Sequence, residues 1–209
     1  MQERYKFSFT AGGLLLNETV KVAGVYLQYG NWKEASKNIA STKILQKNRN
    51  SSSNRYFLEI QKRLKTLSKE EIAFLVEANY EEQKQIIFLS ICRYYGFIRD
   101  FVIQVLRENM LSMKRVLRDS DYFGFINDIS IEHPEIEALT ETTRKKIRAV
   151  LFKILLEAGF IPAASDKTVS PVVVSSRVQQ MLVSSNPREL SYFLYTDQQI
   201  RDMVNRNAS

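Results

Sequence analysis

Apolar residues recur every three or four positions along most of this chain, which is the spacing of a helix that buries one face. Residues 17–29 place Val20, Ala23 and Leu27 on one side, and residues 97–113 carry a wide apolar stripe typical of a core helix. Only 7 glycines and 4 prolines interrupt the 209 residues. The pattern therefore predicts a mainly α-helical protein.

Several of these segments carry helix-terminus signals. Ser68 and Glu71 have the spacing of a capping box, in which each side chain satisfies a backbone N–H group at the helix start. Gly159 follows the periodic segment 140–158, where glycine readily takes the left-handed conformation that ends a helix. Residues 48–54, rich in Ser and Asn, are predicted to be a polar loop that caps the next helix.

The order of predicted elements divides the chain into two modules. Residues 1–118 read as a helical module, and residues 119–209 as a second module. The second module has predicted helices over 121–129, 134–139 and 140–158, then two apolar pieces, 160–162 and 169–174, that would pair as a small β-hairpin. Helix, short helix, long helix and hairpin is the order of a winged helix-turn-helix, so we expect a helix-turn-helix-like module followed by a C-terminal helix.

The charge of the chain is concentrated in one segment. The formal net charge is +7 and the isoelectric point about 9.4, which favours a polyanionic partner such as nucleic acid. Residues 33–65 contain nine basic residues and only two acidic ones, so this segment alone carries +7. The basic residues are Lys33, Lys37, Lys43, Lys47, Arg49, Arg55, Lys62, Arg63 and Lys65.

On a helical wheel, three residues of this basic segment lie on one face of a predicted helix. Arg55, Lys62 and Lys65 lie opposite the apolar stripe formed by Phe57 and its helical neighbours. Lysine and arginine on such a face suit contacts to phosphate oxygens of DNA or RNA. The alternative is a solvated helix face that keeps the protein soluble.

A second basic cluster lies near the start of the predicted helix 140–158. It consists of Arg144, Lys145 and Lys146, with Arg148 and Lys153. Cations are electrostatically disfavoured near a helix N-terminus, and a recognition helix places its first turns in the major groove. We therefore interpret this cluster as a second DNA contact, with a charged exposed face as the alternative.

Catalytic and metal chemistry find little support in the residues. His133 is the only histidine, Cys92 is the only cysteine and lies in an apolar run, and the pairs of acidic residues fall beside helix starts. A nuclease would need several acidic residues converging on a metal ion. We expect no enzyme activity, no metal and no cofactor.

Localisation follows from what the chain lacks. It has no secretory signal and no apolar run of 18 residues, the length that spans a bilayer. We expect a cytoplasmic protein.

A glycine pair near the start of the chain is not a phosphate-binding loop, because Gly13 is followed by leucines rather than by Lys and Ser or Thr. We expect Gly12 and Gly13 to allow a tight turn or a close approach of the backbone. The sequence around this pair resembles the BrxA family, an accessory component of BREX phage-defence systems. The order and number of similar stretches carry the resemblance. They are FTAGGLL (9–15), ILQK (44–47), IQKRL (60–64), LSICRYYGFIR (89–99), HPE (133–135) and LTETTRKKIR (139–148).

The resemblance implies a small, mainly helical, non-catalytic protein that binds double-stranded DNA, with a fold partly like a helical antitermination factor. It also implies an inner-membrane assignment, against which the lack of a spanning segment argues. The family has no catalytic motif to carry over, so basic residues are the predicted DNA contacts. They are Lys43, Lys47, Arg49, Arg55, Lys62, Arg63, Lys65, Arg144, Lys145, Lys146 and Arg148.

Three other functions stay open at this point. One is a protein–protein adaptor for other defence components, suggested by 10 Tyr and 12 Phe. Another is an RNA-binding factor of antitermination type. The third is a peripheral membrane protein, which would need a basic amphipathic helix with a free apolar face.

Overall fold

The fold is mainly helical, as the apolar spacing predicts. It is taken from a computed structural model that describes residues 4–42, 45 and 50–207. In chain order the α-helices are α1 (Leu16–Tyr29), α2 (Trp32–Thr42), α3 (Asn50–Leu64), α4 (Lys69–Glu77), α5 (Tyr80–Tyr94), α6 (Gly96–Phe101), α7 (Glu108–Leu111), α8 (Asp119–Ser130), α9 (Glu141–Ala158), α10 (Ser176–Ser185) and α11 (Asp197–Asn207). The segments Ser8–Ala11 and Pro187–Phe193 are 3₁₀-helical.

Capping residues fix where α4 and α5 begin. Ser68 Oγ accepts from the Glu71 N–H at 3.1 Å, and the Ser68 N–H donates back to Glu71 at 2.8 Å. Asn79 and Glu82 form the same reciprocal pair at the start of α5. The capping box predicted at Ser68 is thus confirmed, and an equivalent one at Asn79 sets the start of α5 at Tyr80.

Helix α5 lies at the centre of the core. Its residues from Gln85 to Cys92 are all buried, and Phe88 packs against Phe160 and Phe193 with ring centroids 4.9 and 5.8 Å away. Buried side chains from before and after residue 118 belong to one apolar cluster. The division into modules 1–118 and 119–209 therefore remains a prediction. Buried apolar side chains of the two ranges pack in one shared core.

The predicted helix 97–113 is interrupted by a π-helical turn over Val102–Arg107, between α6 and α7. Arg107 of this turn is buried and donates from Nε to the Tyr195 carbonyl at 2.8 Å and from Nη2 to Asp197 at 2.6 Å. These bonds tie the start of α11 to the centre of the fold.

The predicted β-hairpin is wrong for the residues described. One bond joins its two pieces, from the Ser170 N–H to the Phe160 carbonyl, but residues 167–169 pair instead with 115–117. There the Val169 N–H donates to the Arg115 carbonyl at 2.6 Å, and the Leu117 N–H to that of Lys167 at 3.0 Å. The result is an isolated antiparallel bridge between Val116 and Thr168. A pairing over fifty residues of chain carries no local sequence signal.

Two smaller predictions also need correction. The segment 134–139 is a series of turns rather than a helix, and the Arg144 side chain donates to its backbone carbonyls at Ile136, Glu137 and Leu139. The loop predicted over 48–54 is shorter, since α3 already begins at Asn50. Residues 48 and 49 lie outside the described part of the chain.

Candidate nucleic-acid interface

Three basic residues follow one side of α3 and its last turn. Arg55, Lys62 and Lys65 are exposed, and none of them forms an ion pair among the residues that the structure describes. A rise of about 1.5 Å per residue separates Arg55 from Lys62 by roughly 10 Å and from Lys65 by roughly 15 Å along the helix. We call these three residues the α3 basic stripe. Their charges are available to an external anion.

Arg63 does not belong to this stripe, although sequence analysis predicts it as a DNA contact. Its side chain is 0% exposed and donates from Nε to Glu59 Oε1 at 2.9 Å. Nη1 donates to the Gly13 carbonyl at 2.8 Å, and Nη2 to that of Gly12 at 3.3 Å. With its donors directed into the fold, Arg63 cannot reach a phosphate, and this assignment is corrected to a structural role.

The carboxylate of Glu59 is surrounded by further donors. The Tyr95 hydroxyl donates to Oε1, and Ser8 Oγ donates to Oε2 at 3.2 Å. Burial, followed by the nearby Glu59 charge, raises the pKa of Tyr95 far above its usual value. Residues 59 and 63 thus form a buried ion pair whose remaining hydrogen-bonding groups are partnered, as such a pair requires.

The four predicted contacts on α9 have different surroundings. Thr140 caps the helix by accepting from the Thr143 N–H at 3.2 Å. Arg144 is engaged with the carbonyls of residues 136–139, and Lys145 pairs with Glu141 at 2.6 Å. Lys146 is exposed and has no ion-pair partner within the described ranges. Of the four, Lys146 presents the most accessible charge.

Arg148 is held against the start of α8. It pairs with Asp119, and its guanidinium lies over the rings of Tyr122, Phe123 and Phe152, with centroids between 5.4 and 5.9 Å away. Asp119 also accepts from Lys167 at 2.7 Å. The hydrogen bonds from Lys167 and Arg148 lower the pKa of the Asp119 carboxyl. Lys167 thus joins Arg148 at the Asp119 carboxylate. Sequence analysis does not identify Lys167, because it is distant in the chain from both residues and matches no motif.

The remaining predicted contacts, Lys43, Lys47 and Arg49, lie outside the described residues. The structure places Arg55, Lys62 and Lys65 together, whereas the cluster 144–148 is spread around α9. The i,i+4 acid at Glu59 is the sequence signal that could have separated Arg63 from its basic neighbours.

His133 and Cys92 have structural surroundings. The His133 ring stacks on Tyr5 with centroids 3.8 Å apart, and its Nδ1 lies 3.0 Å from Glu135 Oε1. Cys92 is fully buried, and burial raises the pKa of its thiol. Within residues 4–42, 45 and 50–207, no three His, Cys, Asp or Glu side chains are grouped to hold a metal ion. None of the helices in this part of the chain has the length and apolar character needed to cross a membrane.

Known proteins resemble this chain over most of its length. A BREX protein BrxA from Escherichia coli O9:H4 (strain HS) is 23% identical over 179 residues, covering 86% of this chain and 84% of the relative. A BREX protein BrxA from Paramagnetospirillum magneticum (strain ATCC 700264 / AMB-1) is 21% identical over 188 residues, covering 88% and 93%. An uncharacterized protein of known crystal structure from Magnetospirillum magneticum has a TM-score of 0.78 at 20% identity, with 92% of this chain and 98% of that one covered.

The helical fold is therefore shared with an experimentally determined structure. The sequence model of the BrxA family matches residues 3–186, which include every predicted contact residue and the loop at Gly12 and Gly13. The chain belongs to the BrxA family.

Proposed function

We propose that this protein binds double-stranded DNA as a non-catalytic component of a BREX anti-phage defence system. The names of its relatives support the BREX context, and other BREX proteins are its expected partners. We expect it to act in the cytoplasm, where DNA would be its partner. The observation that carries the proposal is the α3 basic stripe, whose three cations are exposed and without an ion-pair partner in the described chain.

The proposed mechanism is neutralisation of backbone phosphates. Each Lys or Arg that contacts a phosphate releases condensed counterions, so affinity falls as salt rises, with little dependence on sequence. Lys146 on α9 supplies a second contact in this proposal. Residues 131–140 separate α8 from α9, a longer connection than the turn of roughly three or four residues in a helix-turn-helix. We therefore assign Lys146 to phosphate contact rather than to base readout.

The test is a titration of a labelled DNA duplex at about 50 mM and about 200 mM salt, because phosphate contacts give affinity a steep salt dependence. The double variant Lys62→Ala/Lys65→Ala removes two charges from the stripe. Its matched control, Lys21→Ala/Arg201→Ala, removes two exposed charges from α1 and α11. We expect the stripe variant alone to bind more weakly, with a salt slope lower by roughly 0.9 for each lost contact.

Three results would contradict the proposal. Wild-type protein that fails to bind duplex at low salt, or binds equally at both salt concentrations, has no phosphate-binding surface. Displacement of the duplex by structured RNA of equal length at equal concentration would favour the RNA-binding alternative instead. Circular dichroism of each variant establishes that the fold persists.

A further inference from the structure

A groove runs along the side of α9 that faces away from the core. Its apolar floor consists of Ala149, Phe152, Leu156, Ile161 and Ala164. Its volume of about 550 Å³ lies within the roughly 300–1,000 Å³ typical of ligand-binding clefts. Ala149 and Ala164 are exposed, and their small side chains leave the space that longer ones would fill. We call this cleft the α9 groove.

The rim of the α9 groove is lined mainly by basic side chains. Lys145, Arg148, Lys153 and Lys167 line it, and Glu157 is the one carboxylate among the lining residues. Glu157 is occupied by the fold, because its Oε2 accepts from the Leu14 N–H at 2.6 Å and its Oε1 lies 3.6 Å from Lys153. The lining residues carry a net charge of +3 around an apolar floor. Glu141 pairs with Lys145, and Asp119 pairs with Arg148 and Lys167, so the rim together with these two carboxylates carries +1. The carboxylates of a partner would compete with these ion pairs.

Two exposed aromatic rings lie beside the α9 groove. Phe123, 54% exposed, has its ring centroid 5.7 Å from the Arg148 guanidinium. Tyr80, 63% exposed, lines an adjoining depression together with Lys153 and Glu157. Large apolar side chains left exposed around a cleft are typical of surfaces that bind another protein, where aromatic residues are enriched.

We propose that the α9 groove is the docking site for an acidic amphipathic segment of a partner protein. Apolar side chains of the segment enter the groove, and its Asp or Glu side chains face Lys145, Lys153 and Lys167. A partner carboxylate also replaces part of the contact that Asp119 makes with Arg148 and Lys167 at the rim. Apolar anchors on one face with charges at the edges are the pattern of a helix bound in a groove.

The charge of the rim and the side chains of the floor indicate which kind of partner fits the groove. A second copy of this chain carries a net charge of +7 and is repelled by the rim. A single nucleic-acid strand needs free aromatic faces for base stacking. The Phe152 ring is instead covered by Arg148 at 5.4 Å and Lys167 at 5.1 Å, and the rest of the floor is aliphatic. The two exposed rings beside the groove also have a cation over one face, Arg148 at 5.7 Å from Phe123 and Lys84 at 5.6 Å from Tyr80. This inference does not rest on the α3 basic stripe, although Lys145 and Arg148 of the rim are also predicted DNA contacts.

The experiment selects displayed random peptides of about 15 residues, long enough for the helix-in-groove mode, against the full-length protein. We expect the selected peptides to combine Asp or Glu with Leu, Ile or Phe at helical spacing. One such peptide, labelled, is then titrated by fluorescence anisotropy. Ala149→Glu fills the groove and adds a negative charge, and should weaken binding by about tenfold or more. The matched control Ala40→Glu, on an exposed position of α2, should leave the affinity within about twofold, as expected of a remote surface change.

A second variant, Ala164→Glu, tests the opposite wall and should weaken the peptide as Ala149→Glu does, with circular dichroism to establish folding. Four outcomes would overturn the proposal. They are the absence of acidic amphipathic peptides among those selected, equal binding by the groove variants and the control, equal binding of a scrambled peptide, and a self-associated wild type that Ala149→Glu dissociates in sedimentation. A fifth outcome would also overturn it: displacement of the peptide from wild type by a single-stranded oligonucleotide that itself requires Ala149 would assign the groove to nucleic acid.

Discussion

Arg63 Nη1 donates a hydrogen bond to the carbonyl oxygen of Gly13 over 2.8 Å, so an arginine from the most basic segment of the chain holds a backbone loop. On the other side of this loop, Glu157 of α9 accepts from the Leu14 N–H at 2.6 Å. The loop at residues 12–14 is therefore held by α3 and by α9 together. Both helices carry proposed DNA contacts, so the loop links the positions of the two surfaces.

Replacement of Arg63 should destabilise the protein far more than replacement of its exposed neighbour. Arg63→Met leaves the buried Glu59 carboxylate without its cation and should lower the free energy of unfolding by about 3–5 kcal/mol. Lys62→Met, an equal change at an exposed position, should change it by no more than about 0.5 kcal/mol. Urea unfolding followed by circular dichroism measures both. Equal effects of the two substitutions would mean that the buried pair is not formed.

The close approach of Gly13 to α9 gives a second prediction. A Cβ at position 13 would overlap Glu157 Oε2, so Gly13→Ala forces that carboxylate away from the Leu14 N–H. Glu157→Ala leaves the same N–H unpaired, and each single variant should cost about 1–3 kcal/mol. Because both remove one hydrogen bond, the double variant should cost clearly less than the sum. Additive losses in a double-mutant cycle of urea unfolding would contradict this coupling.

The pKa of Tyr122 predicts how stability changes in alkali. Burial raises the pKa of Tyr122 from its usual value of 10.0 to about 12. The folded state therefore keeps this proton where the unfolded state loses it, and stability falls as pH rises from 10.0 to about 12. Tyr122→Phe has no proton to lose, so its unfolding free energy should fall less over this range. Parallel pH profiles for the two proteins would show that the residue is solvated in the folded state.

Local signals in the sequence predicted much of the fold. The capping box at Ser68 and Glu71 and the helix-ending Gly159 are in place, because each depends on contacts within a few residues. The pairing of residues 115–117 with 167–169 was missed, because nothing local in either segment specifies a partner so distant in the chain. The apolar period also gave no sign of the π-helical turn at Val102–Arg107, where long-range bonds of Arg107 to residues 195 and 197 fix the backbone.

The candidate interface was predictable to the extent that exposure follows helical phase. Arg55, Lys62 and Lys65 were placed opposite the apolar stripe of α3, and all three are exposed. The prediction of Arg63 as a DNA contact is wrong because a count of basic residues treats them all alike. Arg63 lies closer to the buried face of α3 than its basic neighbours do, and Glu59 lies one turn earlier as its ion-pair partner. The α9 groove was not foreseen, because residues 161–167 complete its wall only after the chain has turned at Gly159.

Two adjacent lysines on α9 should contribute unequally to DNA binding. Lys145 pairs with Glu141 at 2.6 Å, whereas Lys146 is exposed and has no acidic partner in the described part of the chain. A phosphate that contacts Lys145 must compete with this carboxylate, so Lys146→Ala should weaken duplex binding more than Lys145→Ala. Loss of one full phosphate contact lowers the salt slope by roughly 0.9, and only Lys146→Ala should approach that value. Glu141→Ala should strengthen binding by freeing Lys145, and the same duplex titration measures all three variants. Equal losses for the two lysines, with no gain for Glu141→Ala, would mean that the ion pair does not restrict Lys145.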